Sequence, residues 1–220
     1  FIDYLSRLER QPDAKEWEAF TNALTTNLTA FFREAHHFPL LAEHIKHKPD
    51  PVTIWCSAAS TGEEPYSIAM TLLETLGPKA SQAKVIATDI DTEALAKARK
   101  GIYPQEQVRK LDESRVKRFF QKGTGNHVGL ARVRPEVSAL VEFMPLNLLA
   151  PQWPVKGPFD AVFCRNIMIY FDKDTQAKIL KRFSPLMKPD GLLFAGHSEN
   201  FSYISDAFKL RGQTVYTLAK

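Results

Sequence analysis

Apolar side chains at Trp17, Phe20, Leu24, Leu28, Phe31 and Phe32 recur close to the roughly 3.6-residue helical period, which predicts helix over residues 13–32. The same style continues across Pro39 to about His47. At Pro51 the pattern changes. Residues 52–56 form a short β-rich run, 57–62 are small and polar, and an apolar helix follows from about Glu63 until Gly77-Pro78 ends it. The unit then repeats, with a strand at 84–88, a turn at Asp89-Ile90-Asp91, and a helix at 92–100 that turns Ala94, Leu95 and Ala98 inward. Two strand-helix units in succession imply a parallel sheet.

Residues 101–138 break this rhythm with a charged helix around 113–120, a loop holding Gly123, Gly125 and Gly129, and short alternating stretches such as 130–133. They read as a small β insert, bounded at about 104–138. Runs at 141–144, 159–164 and 191–195 supply three further core strands, with a helix over 172–183 between the last two. The tail reads as a hairpin with Gly212 at its turn. The expected fold is α/β, a doubly wound and mostly parallel sheet with an N-terminal helical part over 1–48. Its ligand belongs at the carboxyl ends of the first strands.

Composition narrows the class without naming a function. The chain has 220 residues, 44% hydrophobic and 25% charged, which excludes fibrous and disordered classes, and its longest apolar runs are too short to span a membrane. Cys56 and Cys164 lie in apolar stretches and no secretory signal is evident, so free thiols and a cytoplasmic location are expected. The chain begins at Phe1 without methionine, so N-terminal material is expected to be missing. The net charge of +4 is uneven, because residues 97–134 carry eleven Lys/Arg against three Asp/Glu. That patch suits an acidic partner, although a solvated basic face accounts for it equally simply.

The turn at 57–64 is where such folds bind nucleotide-like ligands, yet the nicotinamide fingerprint G-x-G-x-x-G is absent. Glu63 and Glu64 set negative charge where a pyrophosphate would need amides, so a cationic ligand without phosphate fits better, and S-adenosylmethionine has that character. An acidic first turn suiting the helix dipole is the structural alternative. Asp89, ending the second strand, is placed to accept from both hydroxyls of a ribose, although a helix N-cap would also explain an acid there. Asn147 offers an amide to an adenine edge, with a plain turn residue as its alternative.

The segments TNLTAFFRE (26–34), WCSAASTGEEPYSIAM (55–70), ATDID (87–91), NLL (147–149), FDAVFCRNIMIYFD (159–172) and MKPDGLLFAGHSEN (187–200) together resemble the chemotaxis receptor methyltransferases, the CheR family. The resemblance runs over nearly the whole chain from about Thr21. It implies a class I, Rossmann-like S-adenosylmethionine-dependent methyltransferase over 49–220, which forms methyl esters on glutamate side chains of chemoreceptor cytoplasmic helices. It also implies cofactor contacts at Asn27, Thr29, Arg33, Glu64, Asp89, Asn147, Leu148, Arg165 and Asn166, with Arg33 and Tyr170 beside the reacting groups. Glu64 would face the cofactor's cationic amino-acid end, and S-adenosylhomocysteine would be the product. The loop KGTGNHVGLARVR (122–134) resembles members that bind a receptor C-terminal pentapeptide at the insert.

Other readings are weaker. His36, His37, His44 and His47 lack an acid or cysteine to complete a metal set, Pro39 is expected to break the helix between them, and surface histidines are expected. His197-Ser198-Glu199 has the residue types of a hydrolase triad, but three adjacent residues do not align as one, and a loop closing the site is expected. A non-catalytic adaptor would not need Arg33 and Tyr170. A nucleic-acid methyltransferase acting on base amino groups would carry an Asn/Asp-Pro-Pro-Tyr type motif, whereas Asn166 is followed by Ile167-Met168-Ile169-Tyr170, so no nucleic-acid partner, metal or membrane insertion is expected.

Overall fold

The structure is a computed structural model that describes residues 2–10, 14–49 and 51–219. Residue 13, the expected start of the first helical stretch, lies outside the described residues. The order of elements is α1 (Ile2–Arg10), α2 (Ala14–Leu24), α3 (His37–Ile45), β1 (Thr53–Cys56), α4 (Glu63–Leu76), β2 (Lys84–Asp89) and α5 (Thr92–Lys100). There follow β3 (Ile102–Pro104), α6 (Gln105–Val108), α7 (Glu113–Phe119), β4 (Phe120–Lys122), β5 (Leu130–Val133) and α8 (Pro135–Ser138). The chain closes with β6 (Val141–Pro145), β7 (Phe159–Cys164), α9 (Lys173–Phe183), β8 (Met187–Ala195), β9 (Phe208–Gly212) and β10 (Val215–Leu218).

Seven strands form one sheet in the order β6-β2-β1-β7-β8-β10-β9. The pairs from β6 to β8 are parallel, whereas β10 runs antiparallel to both β8 and β9. The chain leaves β1 in one direction and returns through β7 on its other side, so the crevice between their carboxyl ends is the place such a topology offers a ligand. Alternation along the strands builds two cores. Ile54, Cys56, Val85, Ala87 and Phe163 pack on the α3/α4 face, while Trp55, Ile86, Val162 and Cys164 pack on the α9 face, where Trp55 meets Phe183 edge-on at 5.1 Å.

The insert is a three-stranded antiparallel sheet, β3-β5-β4, joined to the α4 core rather than hung from it. Tyr103 donates to the Thr61 carbonyl at 2.8 Å, Phe31 stacks edge-on against Tyr103 and Phe120, and Arg115 pairs with Glu74 while lying 4.0 Å over the Phe32 ring.

Three expectations change. Helix does not run through 13–32; it stops at Leu24, and residues 25–36 cross the sheet's carboxyl edge in turns. Thr25 and Asn27 spend side-chain bonds on Asp91, and Phe32 and Glu34 take left-handed φ values of 52° and 54°, so distant partners override a coincidental periodicity. Pro39 does not break a helix, because it sits in the first turn of α3, where a missing N–H costs nothing. The hairpin turn is made by Gln213 and Thr214, at φ 51° and 57°, with Gly212 ending the strand before it.

Candidate active site

One cavity of about 360 Å³ opens at the carboxyl ends of β1, β2, β6 and β7, within the roughly 300–1,000 Å³ of small-ligand sites. Asn27, Thr29 and Arg33 line it from the crossing loop, Glu64 and Asp89 from the first two strand-helix units, Asn147 and Leu148 from the turn after β6, and Arg165, Asn166 and Tyr170 from the turn after β7. All of the residues that the resemblance assigns to the cofactor and the reacting groups are therefore brought together, although Arg33 and Arg165 are 132 positions apart, while Glu63, the neighbour of Glu64, does not line the cavity.

The β1–α4 turn is shaped by Gly62, whose φ is 100° and on which a Cβ would lie 2.7 Å from the Tyr103 hydroxyl and 2.8 Å from Ala98. Only glycine fits there. The tight turn aims the Ser60 N–H at Asp89 Oδ2, at 2.7 Å, while the Asp91 N–H bonds Oδ1 at 3.0 Å. Burial pushes the Asp89 carboxyl up against these bonds. Capping of α5 falls to Asp91, which accepts from Ala94 N at 2.8 Å and so leaves Asp89 to the cavity.

Asp91 also accepts from Thr25 and Asn27, and the Asn27 carboxamide oxygen accepts from Ser60 Oγ at 2.7 Å. Asn27 thus spends much of its polar capacity clamping the crossing loop over the cavity. Asn147 is a turn residue as well as a lining one: its Oδ1 accepts from the Leu149 N–H at 2.8 Å, which leaves its amide nitrogen for a ligand.

The electrostatic centre is Arg165, whose side chain is 1% exposed. It reaches Glu64 Oε2 at 2.5 Å and Glu34 Oε2 at 3.2 Å, and it also donates to the Arg33 carbonyl. Burial would raise the Glu34 carboxyl, but Arg165, the Asn166 amide and the His197 N–H together hold it down at about 2. Glu64 lies deeper, and there burial outweighs Arg165 and raises the carboxyl. Two carboxylates share one guanidinium, Glu64 lining the cavity and Glu34 beside it, so this side of the site keeps a negative excess suited to a cationic group. Arg165 Nε is buried without a partner. Arg33, by contrast, is anchored by one bond to the Leu28 carbonyl at 2.8 Å, and Tyr170 is 60% exposed at the mouth.

Sequence reading missed Glu34 and Glu199. Glu34 follows Arg33 in a polar break of the pattern, but its reach depends on a left-handed turn that no local signal marks. Glu199 does not join His197 and Ser198 in a loop over the site; it turns inward, is 4% exposed, and accepts four backbone N–H bonds. His197 instead contacts Ser198 Oγ at 3.0 Å and Glu34 Oε1 at 3.4 Å. That order of groups resembles a hydrolytic triad, but the adjacent Gly196 N–H, which an oxyanion would need, is committed to Glu199.

The histidine reading is corrected at two of its four positions, His36 and His47 being exposed as expected. His37 is fully buried and bonds the Gln213 carbonyl at 3.0 Å, and His44 is half-buried against the Asp160 carbonyl at 3.1 Å, so both serve packing. Among the described residues no group of three His, Cys, Asp or Glu is arranged to hold a metal. Cys56 and Cys164 are free and buried, Cys56 donating to Glu64 at 3.3 Å, and burial pushes both thiols well up. Among the described residues no helix is long and apolar enough to cross a membrane.

Residues 27–217 match the family model described as "CheR methyltransferase, SAM binding domain". The chain belongs to the CheR methyltransferase family. The chemotaxis protein methyltransferases of Klebsiella aerogenes and Escherichia coli K12 are 63% and 61% identical to it over the whole chain, which covers 76% and 77% of their lengths. Chemotaxis protein methyltransferase 2 of Pseudomonas aeruginosa is 52% identical, with 100% of this chain and 79% of that protein covered. As a CheR methyltransferase the chain carries a class I S-adenosylmethionine-binding domain, and the mostly parallel sheet with its small antiparallel companion is the architecture the sequence predicts. The cavity fits that cofactor: a carboxylate ends β2 for a ribose, and a negative excess is set by Glu64 at the cavity and Glu34 beside it around Arg165.

Proposed function

We propose that this CheR methyltransferase esterifies glutamate side chains on the cytoplasmic helices of bacterial chemoreceptors, as a protein-glutamate O-methyltransferase. The observation that carries the reading is the pairing of a negative excess, set by Glu64 at the cavity and Glu34 beside it around Arg165, with an anchored cation, Arg33, lining the same cavity. The negative side takes the cofactor's cationic end, and Arg33 receives an incoming carboxylate. When bound, the cofactor supplies an electrophilic methyl group on a sulfonium.

In the proposed site, Asp89 accepts from the ribose hydroxyls, Asn147 and Leu148 border the adenine, and Thr29, Asn166 and Arg165 hold the amino-acid end. Asn27 keeps the crossing loop closed over them. A glutamate carboxylate is ionised at neutral pH and needs no general base. The chain's contribution is alignment, which can supply roughly 7–11 kcal/mol when both reactants are held in register. Arg33 orients the nucleophilic carboxylate, and Tyr170 narrows the mouth through which it enters.

The insert fits recognition of a receptor's C-terminal pentapeptide by strand addition. Strand β5 is central, so β3 and β4 are open edges, and exposed Lys122 and Arg132 beside them suit a carboxyl terminus. Calorimetric titration with such a peptide should show binding that weakens with salt, and absence of binding at low salt would remove the tether.

The catalytic reading is tested by incubating the protein with methyl-labelled S-adenosylmethionine and chemoreceptor-containing membranes. Label on the receptor band, released as methanol by mild base, is the expected result. No label despite measurable cofactor binding would reject glutamate esterification and favour an adaptor role.

A further inference from the structure

The turn after β7 carries three of the candidate site residues, Arg165, Asn166 and Tyr170, and nothing in its own sequence explains its shape. Asn166 holds a left-handed φ of 58°, and Ile167 follows at φ −124°, ψ −33° before the single 3₁₀ turn Met168–Tyr170. Asparagine tolerates that conformation better than most residues, but it still costs energy that surrounding structure must offset.

The offset comes from Glu199, 33 positions away. Its Oε2 accepts from the N–H groups of Asn166 at 2.9 Å and Gly196 at 2.6 Å, and its Oε1 accepts from Ile167 at 2.9 Å and Met168 at 2.7 Å. Three successive amides of the turn therefore converge on one buried carboxylate. The four hydrogen bonds to the Glu199 carboxylate all come from backbone N–H groups. The fit is close: a Cβ on Gly196 would collide with the Asn166 side-chain amide and lie 2.9 Å from Glu199 Oε2. On its other side, the Asn166 carboxamide donates to Glu34 Oε1 at 3.3 Å, so the residue is gripped through backbone and side chain by two different carboxylates.

We propose that Glu199 is a positioning residue for methyl transfer: its four-amide grip fixes the Asn166 turn and so sets where Arg165, Asn166 and Tyr170 stand in the cofactor cavity. The proposal rests on the assignment of those residues to the cofactor site. Glu199 does not touch the reacting atoms. Its negative charge is required, because a glutamine of the same shape turns an amide N–H₂ toward backbone donors that need an acceptor.

The test is a double-mutant cycle read by S-adenosylhomocysteine affinity and by steady-state methyl transfer. Glu199→Gln should weaken product affinity by about tenfold or more, the effect of losing charge-assisted bonds, while raising KM for S-adenosylmethionine and lowering kcat together. Asn166→Gly removes the conformational demand along with Asn166's own contact, so the double variant should be no worse than the weaker-binding single. Fully additive losses would overturn the proposal. Asp160→Ala, a destabilised control remote from the cavity, should keep both constants in its folded fraction.

Loss of affinity in Asn166→Gly with wild-type behaviour in Glu199→Gln would reject the positioning role and leave the cofactor-site assignment standing. Wild-type affinity in both variants would reject the assignment and the proposal together. Should Glu199→Gln fail to fold, hydrogen exchange on the unaltered protein decides: bound S-adenosylhomocysteine should slow exchange of the Asn166, Ile167, Met168 and Gly196 amides by about tenfold. Unchanged exchange at all four would refute the proposal.

Discussion

Arg165 Nη2 stands 3.2 Å from Glu34 Oε2, where the loop crossing the sheet edge meets the turn after β7. The contact ties the anionic wall of the cavity to a residue outside the strand-helix units, and it gives the first prediction. Glu34→Gln should weaken S-adenosylhomocysteine binding about tenfold, with the fold retained, because Arg165 keeps Glu64 but the wall loses its excess charge. Glu34 stays ionised down to about 2, so calorimetry should find the same loss at any pH above about 4.

Asp89 and Asp91 divide two tasks that a sequence leaves open. Asp89→Asn should reduce product affinity by roughly 10- to 100-fold with little change in Tm, as expected for losing charge-assisted bonds to a ribose. Asp91→Ala should cost about 1 kcal/mol of stability through the lost α5 cap and should loosen the loop anchored by Thr25 and Asn27. Thermal melts beside calorimetry on both variants separate the roles, and an Asp89→Asn that binds normally would reject the ribose contact.

His37 makes stability depend on pH. Burial first, and Arg165 second, pull it from 6.5 to about 4. Between those values the unfolded chain binds a proton that the folded protein refuses, so this contribution is full above 6.5 and declines as pH falls toward 4. Raised carboxyls at Glu64 and Asp89 slope the other way, so the comparison must be differential. The Tm advantage of the unaltered protein over His37→Gln should shrink across that window, and a gap independent of pH would contradict the assignment.

Arg33→Ala should lower kcat at least about tenfold with a smaller change in product affinity, since its role is to orient the acceptor carboxylate. Tyr170→Phe keeps the ring at the mouth and should alter kcat less than Arg33→Ala does. Normal turnover in both variants would remove these residues from the reacting centre.

Asp160, fully buried near the start of β7, accepts from Lys188 Nζ at 2.8 and 2.9 Å and from the Thr53 N–H at 2.9 Å. Removing the carboxylate strands Lys188 and a strand-end amide, so Asp160→Ala should cost about 3–5 kcal/mol, measured by denaturant unfolding.

The inward Ala94, Leu95 and Ala98 marked α5, while continuous apolar runs between turn signals marked α4 and the fully buried strand β7. Short polar turns after apolar strands likewise pointed to Glu64, Asp89 and Asn147. Residues 25–36 resisted the same treatment: Leu28, Phe31 and Phe32 keep a helical spacing, yet Phe31 faces the insert, Phe32 lies under Arg115, and Leu28 is 78% exposed at the cavity. Glu199 was illegible for a related reason. A buried carboxylate whose partners are backbone amides 31–33 positions earlier leaves no pattern of residue types to read.

The crossing loop has a consequence for how the binding site comes into being. Arg33 and Asn27 are made before the wall they face, from Arg165 to Tyr170, which follows more than a hundred residues later, and Glu199, which contacts that wall, comes later still. No nascent fragment can hold the cofactor. A ligand seated between the two walls acts as a rivet joining early and late parts of the chain, and its stabilisation grows with the logarithm of its concentration over Kd. Cellular S-adenosylmethionine would thus keep the crossing loop fastened to the sheet, and starvation for it would loosen that loop.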